Sequence, residues 1–290
     1  MITLSNGLIE LSISPIGAEL QSIRRISSNH EYLWQGDATY WDRRSPILFP
    51  ITGKVWNNMA RFLGSEHTLT QHGFARDMVF DKVVDEDRHV ALVTRSNEQT
   101  RALYPYDFEL RIDYTLLRNV ITVTWTITNT GTDNMPFQIG GHPGFNLPRY
   151  NDADECHGFL TCNADSPLLS TPVPGGFCDG EPEEIAIPDD GMLPLTNTTF
   201  LRDTILECTG RLQRITIHDK NGKPYVTLRH EMPVTAIWSP CGGRAPFVCI
   251  EPWWGRCDDA GFEGDFTRKP YVQEVAAGHV WQDEYKIIIE

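Results

Sequence analysis

Apolar and polar residues alternate along much of this chain. Residues 119–129, NVITVTWTITN, place an apolar side chain at every second position from Ile121 to Ile127, with threonines between them. This period of two predicts a β-strand with one buried face. Shorter runs of the same kind predict further strands at residues 8–14, 90–95, 108–116, 214–218, 225–228, 235–238, 246–251 and 285–289.

The connections between these segments decide the fold class. Clusters of Gly, Pro, Asn and Asp separate the predicted strands, and helix-period patterns of ten or more residues are nearly absent. Many strands with short connections predict an all-β protein, a large antiparallel β-sandwich. Residues 151–199 are the least regular part, but strand-like segments of the same character resume after them. We therefore predict a single domain over residues 1–290, with residues 151–199 as a long surface excursion.

Composition and charge narrow the range of partners. The 290 residues are 40% hydrophobic, which is ample for a buried core, and the net charge is −14. Because the charge is acidic and scattered, we expect neither nucleic acid nor a membrane as a partner. The first residues lack a basic and apolar leader, so a cytoplasmic location is expected. Seven cysteines without a Cys-x-x-Cys pair favour free thiols over a disulfide framework or a zinc site.

One histidine stands in an unusual setting. The stretch IGGHPGFN, residues 139–146, places His142 between a diglycine and a Pro-Gly pair, directly after a strand-like run. The glycines allow positive φ or a close backbone approach to a ligand, and the Pro-Gly pair is expected to stiffen and then turn the chain. Such a loop presents an imidazole in a fixed direction. The alternative is a histidine that caps a β-turn and contacts no ligand.

Two further residues strengthen the interpretation of a site. His72 lies in QHGFARD, again beside a glycine and followed by an apolar residue and an arginine. Glu251 ends the apolar run FVCI and is followed by PWWG, which surrounds a carboxylate with two indoles. Desolvation raises the pKa of such a carboxylate and makes it a candidate general base near neutral pH.

Five motifs together resemble a known family. They are RSPILFPITGK (residues 44–54), QHGFARD (71–77), GGHPGFNLP (140–148), LPLT followed by FLRDTIL (193–206) and CIEPWWG (249–255). In this order and over almost the whole chain they resemble the aldose 1-epimerases, or galactose mutarotases, and within them the shorter bacterial LacX-like branch. The resemblance implies a galactose mutarotase-like supersandwich with an open groove on one sheet.

The resemblance also implies roles for individual residues. It assigns Glu251 as the catalytic base and His142 as the catalytic acid. His72 matches a sugar-binding histidine, and Asp203 matches an aspartate that holds sugar hydroxyls. Lys54 stands where larger mutarotases carry an arginine, and it donates as a point charge without the bidentate fork of a guanidinium.

The implied reaction fits these residue types. A mutarotase interconverts α and β anomers by removing the proton of the C1 hydroxyl and protonating the ring oxygen, which needs one base and one acid. It needs no metal, nucleotide or other cofactor, and the expected partner is a small sugar, bound by a monomer or homodimer. The aromatic residues near the motifs belong either to a platform under the sugar or to the core: Trp253, Trp254, Phe74 and Phe145.

The choice of sugar is less determined. A related branch acts on hexose 6-phosphates, and Gln71 and Arg76 match two residues that bind the phosphorylated sugar there. A further phosphate-binding arginine of that branch aligns with Asp42, although Arg43 and Arg44 are adjacent. This difference favours a free aldose over an aldose phosphate. The structural alternatives are a salt-bridged turn at Arg76 and a braced strand end at Arg44.

Three other functions remain open at this stage. A carbohydrate-binding protein without turnover would use the same groove. A glycoside hydrolase would place Asp203 and Glu251 about 5–10 Å apart across a glycosidic bond, but it would leave the two histidines without a role. A zinc site formed by His72, His142 and Glu251 has acceptable ligand types.

Overall fold

The computed structural model describes residues 1–164 and 167–290, apart from the side chain of Cys241. In this part of the chain strands are the main regular structure, with one short α-helix, α1 (Glu98–Leu103), and 3₁₀ turns at Trp56–Asn58, Ala75–Asp77, Pro174–Gly176, Cys241–Gly243 and Phe266–Arg268. In chain order the strands are β1 (Ile2–Ser5), β2 (Ile9–Ile13), β3 (Leu20–Arg25), β4 (His30–Glu31), β5 (Ile47–Leu48), β6 (Met59–Phe62), β7 (Ser65–Thr68), β8 (Asp81–Glu86), β9 (His89–Arg95), β10 (Phe108–Leu117), β11 (Val120–Asn129), β12 (Met135–Phe137), β13 (Ile139–Gly141), β14 (Gly144–Asn146), β15 (Cys156–Cys162), β16 (Leu168–Ser170), β17 (Glu183–Ile185), β18 (Leu193–Thr196), β19 (Ile205–Glu207), β20 (Arg214–His218), β21 (Pro224–Arg229), β22 (Val234–Trp238), β23 (Phe247–Trp254), β24 (Gln273–Val275) and β25 (Val280–Ile289).

The main antiparallel sheet has the order β18-β15-β20-β21-β25-β11-β10-β9-β8. Its centre is the pair β10 and β11, which stay in register from Phe108 opposite Asn129 to Leu117 opposite Val120. Buried and half-buried residues alternate strictly along both strands. The predicted period of two is therefore the pleat of a sheet that buries one face.

A second sheet, in the order β19-β22-β23-β13-β5, faces the first across the core. Its central strand β23 is buried on both faces almost to its end. Val248 and Ile250 point into the shared core, whereas the alternate residues Cys249, Glu251 and Trp253 point away from it. The carboxylate therefore lies on the outer face of this sheet, under a cover of loops.

The prediction of an all-β antiparallel sandwich is confirmed, and every predicted strand falls on an observed one. Residues 151–199 are more regular than predicted, because they contain β15 to β18 and the pair β15–β18 forms one edge of the main sheet. A bulge at Gly158, with φ of 151°, and the short length of these strands hide their alternation. No helix in the described residues is long and apolar enough to cross a membrane.

Candidate active site

The register of one strand pair brings His142 and Glu251 together. β13 and β14 both pair with β23, and residues 142–143 interrupt them. Gly140 lies opposite Trp253, and pairing resumes at Gly144, so the residue midway between them, His142, comes opposite Glu251. The Nε2 atom of His142 lies 3.2 Å from Oε2 of Glu251. The two residues are distant in sequence and adjacent in the sheet.

The diglycine before His142 makes room for neighbouring rings. Neither glycine has a positive φ. A Cβ atom on Gly140 would lie 2.4 Å from Cδ1 of Trp253, and one on Gly141 would lie 2.9 Å from the hydroxyl oxygen of Tyr285. The sequence predicted a positive φ or a close approach to a ligand at these glycines. The positive φ was wrong, and the close neighbours in the structure are side chains of the two facing sheets.

The expected turn at Pro143 and Gly144 is absent, and this prediction was wrong. Gly144 begins β14, and the chain continues along β23, with the N–H of Ile250 donating to the carbonyl of Pro143 at 3.3 Å. The N–H of His142 donates to the carbonyl of Pro46 at 3.1 Å. Hydrogen bonds to both neighbouring segments therefore fix residues 142–143. The imidazole of His142 points away from the core and lies beside the carboxylate of Glu251.

Burial controls the protonation of this pair. It raises the pKa of Glu251 well above its ordinary value; the negative charge of Asp203 adds to this, and the indole of Trp253 opposes it. Burial also lowers the pKa of His142 to about 3; a main-chain hydrogen bond opposes the shift, and the charge of Arg76 adds to it. Both shifts favour an uncharged pair, in which Glu251 is protonated and His142 is a neutral imidazole.

Two tryptophans fix the orientation of His142. The ring of Trp41 stacks on the imidazole at 4.7 Å and 27°, and the ring of Trp238 meets it edge-on at 5.8 Å and 85°. Neither tryptophan was predicted from the sequence to belong to the site. Trp238 carried a weak signal, since it ends the predicted strand beside β23. Trp41 lies in an irregular segment, where no pattern marks its position.

His72 approaches the same point from another loop. Its own φ is 66° and that of Gly73 is 69°, and a Cβ atom on Gly73 would lie 2.2 Å from the carbonyl oxygen of Phe49. The N–H of Gly53 donates to Nδ1 of His72 at 3.1 Å. Burial and the nearby His142 lower the pKa of His72 well below its ordinary value. The ring is therefore neutral, and its remaining proton is on Nε2.

One cavity of about 480 Å³ contains all the predicted site residues in its lining: Lys54, Gln71, His72, Arg76, His142, Asp203 and Glu251. It also contains residues that the sequence analysis did not assign to the site: Trp41, Val173, Gly175, Gly176, Thr204, Leu206, Trp238 and Cys257. Trp253 lines the cavity, whereas Trp254, Phe74 and Phe145 pack in or against the core. The volume of this cavity is typical of a site for a small molecule.

The polar residues at the cavity wall are positioned by the main chain. Nζ of Lys54 donates to the carbonyl of Gly175 at 3.0 Å, which connects it to the 3₁₀ turn at Pro174–Gly176. Asp203 has a φ of 75° and an exposed side chain, whose Oδ1 accepts from the hydroxyl of Thr204 at 3.2 Å. An acceptor carboxylate and a donor ammonium thus lie on the wall above the buried pair.

The arginine of the QHGFARD motif is already engaged. Nη2 of Arg76 donates to the carbonyl of Gln71 at 2.7 Å, and its Nε lies 3.9 Å from the carboxylate of Asp77. The same carboxylate accepts from Arg43 at 2.8 Å. Burial and the charge of Arg43 lower the pKa of Arg76. The structural alternative of a salt-bridged turn is therefore present, although Arg76 also lines the cavity.

The other residues considered for phosphate binding lie outside the cavity lining. Arg44 donates to the carbonyl of Gln35 at 2.9 Å, and its N–H donates to Glu19 at 2.9 Å, so it braces the end of a strand. The side chain of Asp42 is exposed. This arrangement leaves Lys54 and Arg76 as the cations of the described cavity wall.

The set of residues that could hold a metal ion differs from the predicted one. Within the described chain, ligand atoms of His142, Cys249 and Glu251 lie within 4.8 Å of one another, and Cys249 takes the place expected for His72. Nitrogen, sulfur and oxygen ligands suit zinc. Burial raises the pKa of Cys249 well above its ordinary value, and this disfavours the thiolate that a metal needs. The six cysteines with described side chains are free thiols, as expected.

Comparisons with known proteins cover the whole chain. A sequence model of the family described as Aldose 1-epimerase matches residues 1–285. The plasmid-encoded protein LacX of Lactococcus lactis subsp. lactis is 29% identical over 301 residues, which cover 99% of both chains. A galactose mutarotase-like protein from Lactobacillus casei has a TM-score of 0.93 and 32% identity, with 100% of both chains covered. A galactose mutarotase related enzyme from Lactobacillus acidophilus has a TM-score of 0.92 and 29% identity, with 99% of this chain and 96% of that chain covered.

Proposed function

The chain belongs to the aldose 1-epimerase family, and from this premise we propose that it interconverts the α and β anomers of a free aldohexose. The observation that carries the proposal is the contact of 3.2 Å between Nε2 of His142 and Oε2 of Glu251. Both atoms belong to residues that line a cavity of about 480 Å³. A proton donor and a proton acceptor at this separation fit the two oxygens that exchange protons in mutarotation.

The geometry of a hemiacetal explains why the pair must be close. The C1 hydroxyl oxygen and the ring oxygen are both bonded to C1, so one compact pair of groups reaches both. Glu251 takes the proton of the hydroxyl while His142 gives a proton to the ring oxygen, and the bond from C1 to the ring oxygen breaks. Rotation about C1–C2 and closure from the other face follow, with the two roles exchanged. Each group contributes about 10²- to 10⁴-fold in rate.

The protonation of the pair changes when the sugar binds. Glu251 and His142 hold one proton between them, and burial alone places it on the carboxyl group. Hydrogen bonds from sugar hydroxyls to the carboxylate favour its charged form. The proton then belongs on the imidazole, which is the state that the first step requires. Sugar binding therefore prepares the acid and the base together.

The remaining residues of the cavity are suited to bind and orient the ring. His72 carries its ring proton on Nε2, because Nδ1 already accepts from Gly53, and this Nε2 lies 3.3 Å from the side-chain amide of Gln71, so the two residues present donors side by side. Asp203 accepts hydrogen bonds from sugar hydroxyls, and Lys54 and Gln71 donate at the wall. The indoles of Trp41 and Trp253 supply the apolar surface that the face of a pyranose packs against. The arrangement therefore matches a neutral, hydroxyl-rich ligand.

A free sugar is favoured over a sugar phosphate for a reason of charge. Of the cavity cations, Arg76 already contacts the carboxylate of Asp77, and Lys54 donates to a carbonyl. The carboxylate of Asp203 faces the same space. A dianionic phosphate would have to displace these contacts and lie near like charge. A neutral hexose carries no charge for Asp203 to repel, and it does not need to displace the contacts of Arg76 and Lys54.

The test is the rate of anomer exchange measured by NMR for glucose and galactose and for their 6-phosphates. We expect catalysis with at least one free hexose, and its loss on Glu251→Gln. Glu184→Gln makes the same chemical change at an exposed position on β17 and should retain the full rate. Exchange no faster than in buffer for all of these sugars, together with calorimetric evidence that a hexose binds, would indicate a carbohydrate-binding protein instead. Faster exchange of the phosphates would indicate the sugar-phosphate activity.

A further inference from the structure

A pair of thiols lies in the wall between two cavities. Sγ of Cys178 is 3.4 Å from Sγ of Cys257, and both residues are buried. Cys257 lines the candidate active site. Cys178 lines a neighbouring cavity of about 310 Å³, together with Arg256, Cys208 and Tyr271. Through this second cavity a small molecule can reach the sulfur of Cys178.

The main chain already holds the two segments side by side. The N–H of Cys178 donates to the carbonyl of Asp258 at 2.8 Å, and the N–H of Ala260 donates to the carbonyl of Cys178 at 2.9 Å. A disulfide bond requires the sulfurs to approach to about 2 Å. With the backbones tied on both sides, this approach is a movement of side chains and needs no rearrangement of segments.

The two thiols are chemically different. The hydrogen bond from Cys257 and the charge of Arg256 lower the pKa of Cys178, against the effect of burial. The same hydrogen bond and burial raise the pKa of Cys257 well above its ordinary value. Arg256 is itself held by Asp259 at 2.7 Å. Cys178 is therefore the more easily ionised and the more nucleophilic of the two sulfurs, and Cys257 remains a thiol that can resolve an oxidised product.

We propose that Cys178 and Cys257 form an oxidisable dithiol that closes to a disulfide when a small peroxide reaches it. The Cys178 thiolate attacks one peroxide oxygen and the O–O bond breaks, which leaves a sulfenic acid on Cys178 and a hydroxide that takes up a proton. The sulfur of Cys257 then attacks the sulfur of Cys178. The S–S bond forms, the S–O bond breaks, and the hydroxyl leaves as water with the proton of Cys257. The two sulfurs lose two electrons in total, and the peroxide is reduced to water.

The crosslink connects parts of the candidate active site. Gly53 packs so closely on Cys257 that a Cβ atom on it would lie 2.6 Å from the cysteine Cβ, and its N–H holds His72. The carbonyl of Lys54 accepts from the N–H of Asp258 at 2.9 Å. We therefore expect the disulfide to change the KM for the sugar. This last effect rests on the proposed function, whereas the oxidation does not.

The direct test is peptide mapping of the full chain. The reduced protein is treated with hydrogen peroxide, denatured in N-ethylmaleimide, digested without reductant and analysed by mass spectrometry. We expect a crosslinked peptide that contains Cys178 and Cys257 and disappears on treatment with dithiothreitol. Cys178 should oxidise at least about ten times faster than Cys208, because burial raises the pKa of Cys208 to about 12. Both cysteines alkylated after peroxide, or Cys178 joined to Cys208, would overturn the proposal.

Variants test the order of the steps. Cys257→Ser should trap the sulfenic acid on Cys178, which dimedone labels, and Cys178→Ser should abolish both the label and the crosslink. Cys208→Ser is the matched control, since it removes a thiol from the same cavity and should leave the crosslink unchanged. Dimedone labelling of Cys257 in the Cys178→Ser variant would contradict the assigned order. The mapping of the unchanged chain decides the proposal even where a variant does not fold, and a negative result for sugar exchange would leave the mapping result intact.

Discussion

Replacing Glu251 by Gln is expected to lower activity and raise stability at the same time. The amide preserves the shape of the side chain but removes the proposed general base. The expected loss in the rate of anomer exchange is about 10²- to 10⁴-fold. At about 1.4 kcal/mol per factor of ten, this corresponds to about 3–5 kcal/mol of transition-state stabilisation.

The gain in stability follows from the burial of the carboxylate. Burial raises the pKa of Glu251 in the folded protein well above its ordinary value, so the folded state holds the proton more tightly than the unfolded state. The contribution of Glu251 to the free energy of unfolding is therefore fully retained below the ordinary pKa. It falls as the pH rises toward the folded pKa, by about 1.4 kcal/mol per pH unit. Glutamine does not titrate, so the variant should be more stable than the wild type above about pH 5, by a margin that grows with pH.

Two measurements on one pair of proteins check this reasoning. Urea unfolding at pH 4, 5, 6 and 7 gives the free energies of unfolding, and NMR exchange of galactose at pH 7 gives the rates. Glu184→Gln serves as the control at an exposed position and should follow the wild type in both. A Glu251→Gln variant that retains more than a tenth of the activity would refute the assignment of the base. A stability difference that does not change between pH 4 and pH 7 would refute the raised pKa.

Three further predictions concern single side chains. His142→Asn should reduce acid sensitivity, because the histidine's pKa of about 3 in the folded protein costs about 1.4 kcal/mol of stability per pH unit as the pH falls from about 6.5 to about 3. The buried His72 keeps its share of the sensitivity in both proteins. Equal acid unfolding of both proteins, followed by circular dichroism, would contradict this prediction. Lys269→Met should lower the free energy of unfolding measured in urea by about 3–5 kcal/mol, because it leaves the carboxylate of Asp258 buried without its ion-pair partner. An unchanged free energy of unfolding would show that this carboxylate is solvated. Gly140→Ala should cost about 1–3 kcal/mol, because its Cβ would lie 2.4 Å from Cδ1 of Trp253, and an unaltered unfolding midpoint would show that the indole moves freely.

The sequence predicted the parts of the fold in which one face of a strand is buried and the other is not. β10 and β11 show this alternation along their lengths, and β25, the other neighbour of β11, shows it in part. The pattern fails where a strand is short or bulged, as in β15 and β18. The bulge at Gly158 shifts the alternation within β15, and β18 is too short to show a repeated alternation. It also fails for β23, which is buried on both faces, although its apolar composition still marked it as a strand.

The residues of the candidate site also fall into a group that the sequence predicted and a group that it did not. The residues that lie in motifs, such as His72, His142 and Glu251, were predicted, and they line one cavity. The wall formed by residues 173–176 and by Trp41 was not predicted, since irregular segments carry no period that shows which side chain points inward. The reason for the glycines before His142 also needed the structure. Their neighbours are rings from strands that lie far away in sequence.

The interruption between β13 and β14 has a consequence for how such proteins diversify. His142 and Glu251 face each other across a single hydrogen-bonded ladder, and the loops that line the rest of the cavity do not set their spacing. Sequence changes in those loops can therefore alter which carbohydrate is accepted while the proposed proton-transfer pair stays intact. An insertion or deletion within the ladder, by contrast, would separate the two groups in one mutational step.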